Sequence, residues 1–396
     1  MFIAMNQDGE LINLLFKTKE EIRELTRQKW WCSSCGLALT IKNGSIKQSH
    51  FAHQKNNACQ RVTEGETEEH LKGKRLLAQW CDTFNLTYQL EAYLPELKQR
   101  PDVLLGRIAI EFQCSQLPLA RLVERTETYQ RHGYQVIWVL GKQFFVENRL
   151  TAFQRACLNY HQKIGFYLWE LDVELEALSC VLHVEEVTGE RRVYYSRKSW
   201  QVESDSLLKI LHFPQENQLF IRRQFKERSI LLAYFEKIEE WLCRRDRQTL
   251  LIQEQLYQQG VHLRGLDVCF FLPVTHPIVM RGSVFIWRLL VWTIIETTGK
   301  GTFSTIFQTF YAQVIQGELE LYEMPMISLE TNLNLFLTDY LRALYQLGYV
   351  TFKEGYFFVR QRPKVFKDNR ERELAVTKSL ASYNHISVTP RKNMLS

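Results

Sequence analysis

Two carboxylates interrupt an otherwise apolar stretch, PDVLLGRIAIEFQCS, at residues 101 to 115. Gly106 and Arg107 predict a two-residue turn between two strands. That turn places Asp102 directly opposite Glu111, with Cβ atoms about 5 Å apart on one face. Two ionised carboxylates at this distance repel each other unless a positive group lies between them. A divalent cation would relieve the repulsion, so the pattern favours a metal site.

Gln113 is the next candidate, because it follows Glu111 by two positions on the same strand. The alternation of side chains along a strand predicts that both lie on one face. The alternative interpretation is an ordinary surface hairpin, in which the acids contact water, Lys or Arg. If each acid has its own permanent basic partner, the arrangement favours a DNA-binding scaffold over a hydrolytic site.

Cysteine and histidine pairs near the N terminus have the spacing of metal ligands. Cys32 and Cys35 are separated by two residues, and His50 and His53 follow after fourteen more. Four sulfur and imidazole ligands suit a tetrahedral, structural Zn²⁺. Cys59 is an alternate that could replace either histidine. The competing interpretation is buried free cysteines with surface histidines.

A helix is predicted just before the two acidic strands, over GETEEHLKGKRLLAQWCDTF, with a capping box from Thr63 to Glu66. Glu66, His70 and Lys74 recur every four residues, so they form one polar stripe. A stripe of this kind is also typical of a solvated helix face. Glu69 is the fallback for Glu66, because the cap does not fix which acid faces the strands.

The elements around these residues predict a mixed α/β (α+β) fold with the order α-β-β-β-α-β. The second helix of that order, LARLVERTETYQRHG, places Arg125 and Tyr129 on one face. We divide the chain into a zinc-binding β module at 1–60, an α/β domain at 61–145 and a mostly helical domain at 146–396. Within the last, a helix followed by the hairpin YVTFKEGYFFVRQ predicts a winged-helix-like end.

Composition narrows the class of protein. A chain of 396 residues predicts two or three domains. The start, MFIAMNQDGELINLLF, does not have the pattern of a signal peptide. The most apolar stretch, VFIWRLLVWTIIETTG, contains Arg288 and is too short to span a bilayer, so it predicts a buried helix. Nine cysteines are an odd number, which argues against a disulfide framework. We expect a cytoplasmic protein without a membrane span.

The positive charge of the chain is concentrated at its end. Residues 360 to 396 contain nine Lys or Arg against three Asp or Glu, which matches the net charge of +6 for the whole chain. A basic tail of this kind binds a polyanion such as DNA through counterion release. The alternative is a solvated terminus with no binding role.

Taken together, these residues resemble the PD-(D/E)xK nuclease core and, more specifically, the competence protein CoiA family. The resemblance rests on CSSC, HFAH, the HxxxK of His70 to Lys74, RPDVLL, IEFQCS, ERTETYQRHG, LPVTHPIVMRGSVFIWR and YLRALYQLGYV. It implies a restriction-endonuclease-like core in a protein that processes incoming DNA during natural transformation, near the recombination step. The implied partners are DNA, single-stranded or branched, and the recombinase machinery.

The resemblance also implies roles for the site residues. Asp102 and Glu111 would be ligands of Mg²⁺ or Mn²⁺, with Glu66 completing or flanking the site. The reaction would be metal-assisted attack of water on a phosphodiester. The nuclease pattern usually ends in lysine, and here that position is Gln113. A neutral amide cannot supply the positive charge that stabilises the transition state.

Other side chains would have to replace the missing lysine. The resemblance leaves this role to His70 or Lys74 on the facing helix, and it leaves phosphate contact to Arg125 and Tyr129. Two functions therefore stay open. One is a metal-dependent deoxyribonuclease, and the other is a non-catalytic DNA-binding or recombination accessory protein that uses a nuclease-like fold. Nothing in the sequence specifically supports a third, purely structural role.

Overall fold

The computed structural model of the protein describes residues 1–44, 48–53, 67–186, 192–202, 204–218, 227–258, 260–272, 277–281, 284–317, 319–367 and 369–380. These residues form three β-sheets, of five, eight and three strands. Each sheet belongs to a different part of the chain, so the described architecture follows the order of the sequence. None of the described helices has the length and apolar character needed to cross a bilayer.

The N-terminal module is a five-stranded antiparallel sheet with the order β2-β1-β3-β4-β5. Its strands are Ile3–Met5 (β1), Leu11–Asn13 (β2), Trp30–Trp31 (β3), Ala38–Lys42 (β4) and His50–His53 (β5), and helix Lys19–Leu25 (α1) connects β2 to β3. Trp30, Phe51 and Ile22 are buried in a small core of its own. The sequence ALTIKNGSIKQS predicts a hairpin with a turn at Asn43 and Gly44, and its first strand is β4. The predicted second strand falls partly outside the described residues, and β4 pairs with His50–His53 instead.

The central domain follows with the predicted order α-β-β-β-α-β. Its elements are Glu68–Thr83 (α2), Gln89–Leu90 (β6), Val103–Leu105 (β7), Ile108–Gln113 (β8), Leu119–Arg131 (α3) and Gln135–Leu140 (β9). Helix α2 is capped by Thr67, whose Oγ1 accepts a hydrogen bond from the backbone N–H of His70 at 3.1 Å. The capping box predicted at Thr63 to Glu66 lies outside the described residues.

The central sheet does not end at residue 145, where the sequence placed a domain boundary. It continues through Ala152–Ala156 (α4), Asn159–His161 (β10), Gly165–Asp172 (β11), Ala177–Glu186 (β12), Val193–Gln201 (β13) and Leu207–Glu216 (α5). The eight strands include the path β13-β12-β11-β9-β8-β7-β6, with β10 paired to β11. The helical region therefore begins after β13. Strand β12 is buried on both faces, so it does not show the alternation that identifies a strand in a sequence.

Helices α2 and α3 cover opposite faces of this sheet, and β8 contributes side chains to both. Ala109 belongs to the same hydrophobic cluster as Leu122 and Tyr129 of α3. Ile110 and Phe112 belong to the cluster that contains the apolar face of α2. Because Glu111 and Gln113 share the parity of Ala109, the alternation of the strand directs them towards α3.

Gly73 allows α2 to lie very close to β8. A Cβ atom at this position would be 2.0 Å from Cε1 of Phe112. We therefore expect Gly73→Ala to lower the free energy of unfolding by about 3 kcal/mol, although Ala is the better helix former. Chemical denaturation measures this change. The control is Arg75→Ala at an exposed position of the same helix, where we expect a change within about 0.5 kcal/mol. A stabilising Gly73→Ala would contradict the close packing.

The C-terminal region is mostly helical, as predicted. Its helices are Glu227–Cys243 (α6), Arg247–Gln258 (α7), Val284–Thr298 (α8), Phe303–Ile315 (α9), Leu329–Gln346 (α10) and Asn369–Leu380 (α11). Strands Lys300–Thr302 (β14), Val350–Lys353 (β15) and Tyr356–Val359 (β16) form a sheet in the order β14-β16-β15. The helix followed by a hairpin, on which the winged-helix-like prediction rests, is thus present as α10, β15 and β16.

The most apolar stretch forms helix α8 and is buried, as its sequence indicates. Arg288 lies inside this helix with no exposed surface. Its Nη1 donates to the carbonyl of Phe270 at 2.7 Å, and its Nη2 donates to the carbonyl of Leu272 at 2.6 Å. The guanidinium also lies 5.2 Å from the ring centre of Trp287 and 5.5 Å from that of Tyr340. The charge therefore connects α8 to the preceding loop and to α10.

The first half of the basic tail is packed against the domain. In α11, Arg372 and Val376 are completely buried. Arg372 donates from Nη1 to the carbonyl of Arg264 at 2.9 Å, and its guanidinium lies 4.0 Å from the ring centre of Phe235. The prediction of a freely solvated tail therefore does not hold for α11, whereas DNA binding by the tail stays a prediction. Residues 381–396 lie outside the described part of the chain.

Candidate carboxylate site and metal centre

The predicted hairpin is present, but the prediction that its two carboxylates share one face is wrong. Asp102 is contacted by helix α2 and Glu111 by helix α3, and these helices cover opposite faces of the sheet. Val103 pairs with Ile110, and Leu105 pairs with Ile108, which is the register that the sequence predicts. Just before β7, the Oδ2 of Asp102 accepts a hydrogen bond from the backbone N–H of Phe112 at 2.9 Å. The Asp102 carboxylate is therefore fixed against the residue that follows Glu111.

His70 and Lys74, on the polar face of helix α2, contact Asp102 from one side. The Nε2 of His70 lies 3.0 Å from Oδ2 of Asp102, and the Nζ of Lys74 lies 3.8 Å from Oδ1. Burial by itself raises the pKa of Asp102. The charge and hydrogen bond of His70, the charge of Lys74 and the N–H of Phe112 outweigh burial and lower this pKa to about 2. These contacts therefore favour the ionised form of Asp102 at neutral pH.

Helix α3 meets Glu111 from the other side. The Nη2 of Arg125 and the hydroxyl of Tyr129 both donate to Oε1 of Glu111, the latter at 2.6 Å. Burial raises the pKa of Glu111, the charge of Arg125 opposes this, and the nearby charge of Asp102 raises the pKa further. Although the hydrogen bond from Tyr129 also lowers it, the net result is a pKa of about 7. The pKa values of Asp102 and Glu111 are thus shifted in opposite directions. This pattern is typical of pairs of acids at functional sites.

Basic side chains already relieve part of the repulsion that predicted a cation. Glu111 has a permanent positive partner in Arg125, which is the arrangement that favours a scaffold. Asp102 has no such exclusive partner, because Lys74 is also bound to Glu91 at 2.5 Å. The hydrogen bonds described above use Oδ2 of Asp102 and Oε1 of Glu111. The other oxygen of each carboxylate is a hard ligand of the kind that Mg²⁺ and Mn²⁺ prefer.

The other predicted site residues take different positions. Gln113 is buried, and its Nε2 donates to the carbonyl of Ser115 at 2.8 Å. Glu69 extends to the end of β9, where its Oε1 accepts from the backbone N–H of Lys142 at 2.7 Å. Glu66 lies outside the described residues. Tyr129 is completely buried, so it holds Glu111 and does not reach a phosphate on the surface.

Glu91 is the site residue that the sequence did not reveal. Its side chain is buried beside Lys74, and its backbone N–H donates to the carbonyl of Asp102 at 2.9 Å. The sequence shows it only as one acid in the segment LTYQLEAYL, which predicts a longer strand than the observed β6. An acid within an apolar run was the available signal, but its partner lies on another element.

A second group of side chains suits a metal in the N-terminal module. One ligand atom from each of Cys32, Cys35 and His53 lies within 4.8 Å of the others. Cys32 and Cys35 flank a turn in which the N–H of Gly36 donates to the carbonyl of Cys32 at 2.8 Å, with Gly36 in the left-handed region at φ 71°. This turn follows β3, and His53 ends β5 across the sheet. Two thiols and one imidazole are a donor set typical of structural Zn²⁺.

His50 does not join this group, although the spacing suggested that it would. His50 and His53 are three residues apart in the extended strand β5, so their side chains lie on opposite faces. The Nδ1 of His50 lies instead 2.8 Å from the carbonyl of Gln48. Cys59, the alternate ligand, lies outside the described residues. Burial, together with the charge of Arg100, lowers the pKa of His53 and favours the neutral imidazole that binds metal.

Comparisons with known proteins agree with this organisation. The nuclease-like domain of competence protein CoiA matches residues 66–216, and the N-terminal domain of the same protein matches residues 14–61. The first match includes β10 to β13, in agreement with the continuous sheet. Together the two matches cover half of the chain.

A curated relative, the competence protein CoiA of Bacillus subtilis (strain 168), is 34% identical over 155 residues. The aligned segment is 38% of this chain and 39% of the relative, so it spans about two fifths of the relative's length. No solved structure matches the chain. The two domain matches and this relative lead to one assignment: the chain belongs to the competence protein CoiA family.

Proposed function

We propose that this protein acts in competence, where it processes incoming DNA near the recombination step as a metal-dependent deoxyribonuclease. The observation that carries the proposal is the pair formed by Asp102 and Glu111, whose pKa values are shifted in opposite directions within one hairpin. Two carboxylates of this kind suit a catalytic cation better than a purely structural contact. Membership of the family and the match to its nuclease-like domain support the same function.

Some of the site residues would bind the metal ion, and others hold those ligands in position. Asp102 and Glu111 would hold Mg²⁺ or Mn²⁺, which would activate water and stabilise the charge on the phosphate. Arg125 and Tyr129 fix the orientation of Glu111 through Oε1. His70 fixes Asp102 through Oδ2, and its partly exposed ring is the basic group that substrate can approach.

Lys74 does not take the place of the lysine that the nuclease pattern usually contains. Its side chain is only 1% exposed, so it acts on the charge of the site and does not contact DNA. The Cys32, Cys35 and His53 group would hold a structural Zn²⁺ that keeps the N-terminal module folded. We also propose a cytoplasmic location and a functional link to the recombinase machinery, since the substrate would reach the protein after uptake.

A second candidate is a non-catalytic DNA-binding or recombination accessory protein. The pairing of Glu111 with Arg125 favours it, because a permanent cation competes with a metal for the carboxylate. The presence of Gln113 in place of lysine favours it as well. In this case the hairpin and its two helices would hold single-stranded or branched DNA without cleaving it.

One experiment separates the two functions. Labelled single-stranded, duplex and branched DNA is incubated with the protein and Mn²⁺. We expect cleavage by the wild type and none above background for Asp102→Asn combined with Glu111→Gln. The matched control is Glu124→Gln, an exposed acid on α3 paired with Arg121, which should cleave normally. Equal cleavage by wild type and the double variant would exclude this site. DNA binding without cleavage by both would support the second candidate.

A further inference from the structure

We infer that Glu91 is a positioning residue that keeps the carboxylate site negative enough to bind a divalent cation, and that the N-terminal module holds it in place. This inference rests on the proposed function and adds to it. Glu91 belongs to no predicted motif. Its side chain lies between the first strand of the chain and the lysine nearest to Asp102.

Lys74 is the reason that such a residue is needed. Its Nζ is buried 3.8 Å from Oδ1 of Asp102, the oxygen that would bind the cation. An uncompensated ammonium at that distance would repel a second positive charge strongly, because a buried pair is little screened. Glu91 compensates it at close range, since its Oε1 lies 2.5 Å from Nζ. The Lys74 charge is therefore directed towards Glu91 more than towards Asp102.

The N-terminal module fixes the other oxygen of Glu91. Its Oε2 accepts hydrogen bonds from the backbone N–H groups of Phe2 at 2.8 Å and Ile3 at 3.0 Å. The ring of Phe2 also lies 5.4 Å from Nζ of Lys74. Glu91 itself has the left-handed φ of 48°, which is unfavourable for a residue with a side chain. Strand β1 thus holds Glu91 in a backbone conformation that is costly for it.

A count of the charges shows what Glu91 contributes. Apart from His70, the described cluster contains three carboxylates, Glu91, Asp102 and Glu111, against the two cations Lys74 and Arg125. Its formal charge is therefore −1. Removal of the Glu91 charge makes the cluster neutral, although neither oxygen that would bind the metal has changed.

Calorimetry of Mn²⁺ binding at pH 8 tests the inference with the full chain. We expect Glu91→Gln, which keeps an acceptor for the two N–H groups, to raise the Kd for Mn²⁺ about tenfold. We expect Lys74→Met combined with Glu91→Gln to restore the affinity to within about threefold of the wild type, because both charges of the pair are removed. A purely structural ion pair would show the same recovery, because loss of one buried partner destabilises the fold and loss of both relieves this. The melting temperature of each variant is therefore measured as well, and weak Mn²⁺ binding by a Glu91→Gln variant that is folded at the assay temperature separates the two roles.

Each outcome separates this inference from the proposed function. The control Asp102→Asn combined with Glu111→Gln must abolish Mn²⁺ binding. If the wild type does not bind Mn²⁺ at these acids, the proposed function fails and the role of Glu91 fails with it. If the wild type binds Mn²⁺ and Glu91→Gln binds equally well, only the inference is overturned. The inference is also overturned if the double variant at Lys74 and Glu91 binds Mn²⁺ as weakly as Glu91→Gln alone.

Discussion

We expect Cys32→Ser to abolish the proposed binding of Zn²⁺ by the N-terminal module and to unfold that module. Cys32 is completely buried, so a serine there leaves a site without one of its thiolates and with a polar group inside the small core. Structural Zn²⁺ contributes about 10 kcal/mol or more to the folding of modules of this size. We expect zinc analysis by mass spectrometry to fall from about one ion per chain to a small fraction of that. The melting temperature should fall by at least about 5 °C.

His50→Ala is the matched control for this prediction. It removes a histidine from the same strand that the sequence placed among the ligands, but its side chain lies on the face opposite His53. We expect the zinc content to be unchanged. Loss of zinc from His50→Ala, or retention of zinc by Cys32→Ser, would show that the ligand set differs from the group in the structure.

Arg288→Leu should be the most destabilising single substitution in the C-terminal domain. Leucine leaves the carbonyls of Phe270 and Leu272 without this donor in a buried environment. It also removes the contacts with the rings of Trp287 and Tyr340. We expect the free energy of unfolding to fall by about 4 kcal/mol, since a buried charged partner is lost. Chemical denaturation followed by tryptophan fluorescence measures this change.

Two further variants make the result specific to the buried guanidinium. Arg288→Lys keeps the charge but cannot donate in two fixed directions, so we expect an intermediate loss. Arg281→Leu changes an exposed arginine near Glu320 and should alter stability by less than about 0.5 kcal/mol. Equal stability of Arg288→Leu and the wild type would contradict a structural role for the buried charge.

The part of the fold that depends on local pattern was predictable from the sequence. The Gly106 turn fixed the register of β7 and β8, and a continuous apolar stretch too short to span a bilayer identified the buried helix α8. The boundary at residue 145 was not predictable, because β12, which extends the sheet beyond it, is buried on both faces and does not alternate. For such strands, an apolar run in the sequence does not show to which sheet the strand belongs.

At the candidate site, too, local contacts were predictable from the sequence and long-range contacts were not. The spacing of His70 and Lys74 on one helix, and of Arg125 and Tyr129 on another, predicted which side chains share a face. It did not predict that each pair would neutralise a different carboxylate. Those partners come from helices on opposite sides of the sheet, and only the fold brings them together. Glu91 is separated by 89 and 88 residues from its backbone donors at Phe2 and Ile3, so no local pattern could connect them.

The position of β9 between β8 and β11 has a practical consequence for dissection of the protein. A fragment that ended at residue 145 would keep both carboxylates, but it would lack β11, the strand that pairs with β9. The result would be an apolar strand with a row of unpaired amide and carbonyl groups, which other polypeptides can extend into intermolecular aggregates. The hairpin that carries the acids therefore depends, for its solubility, on strands that carry no chemistry at all.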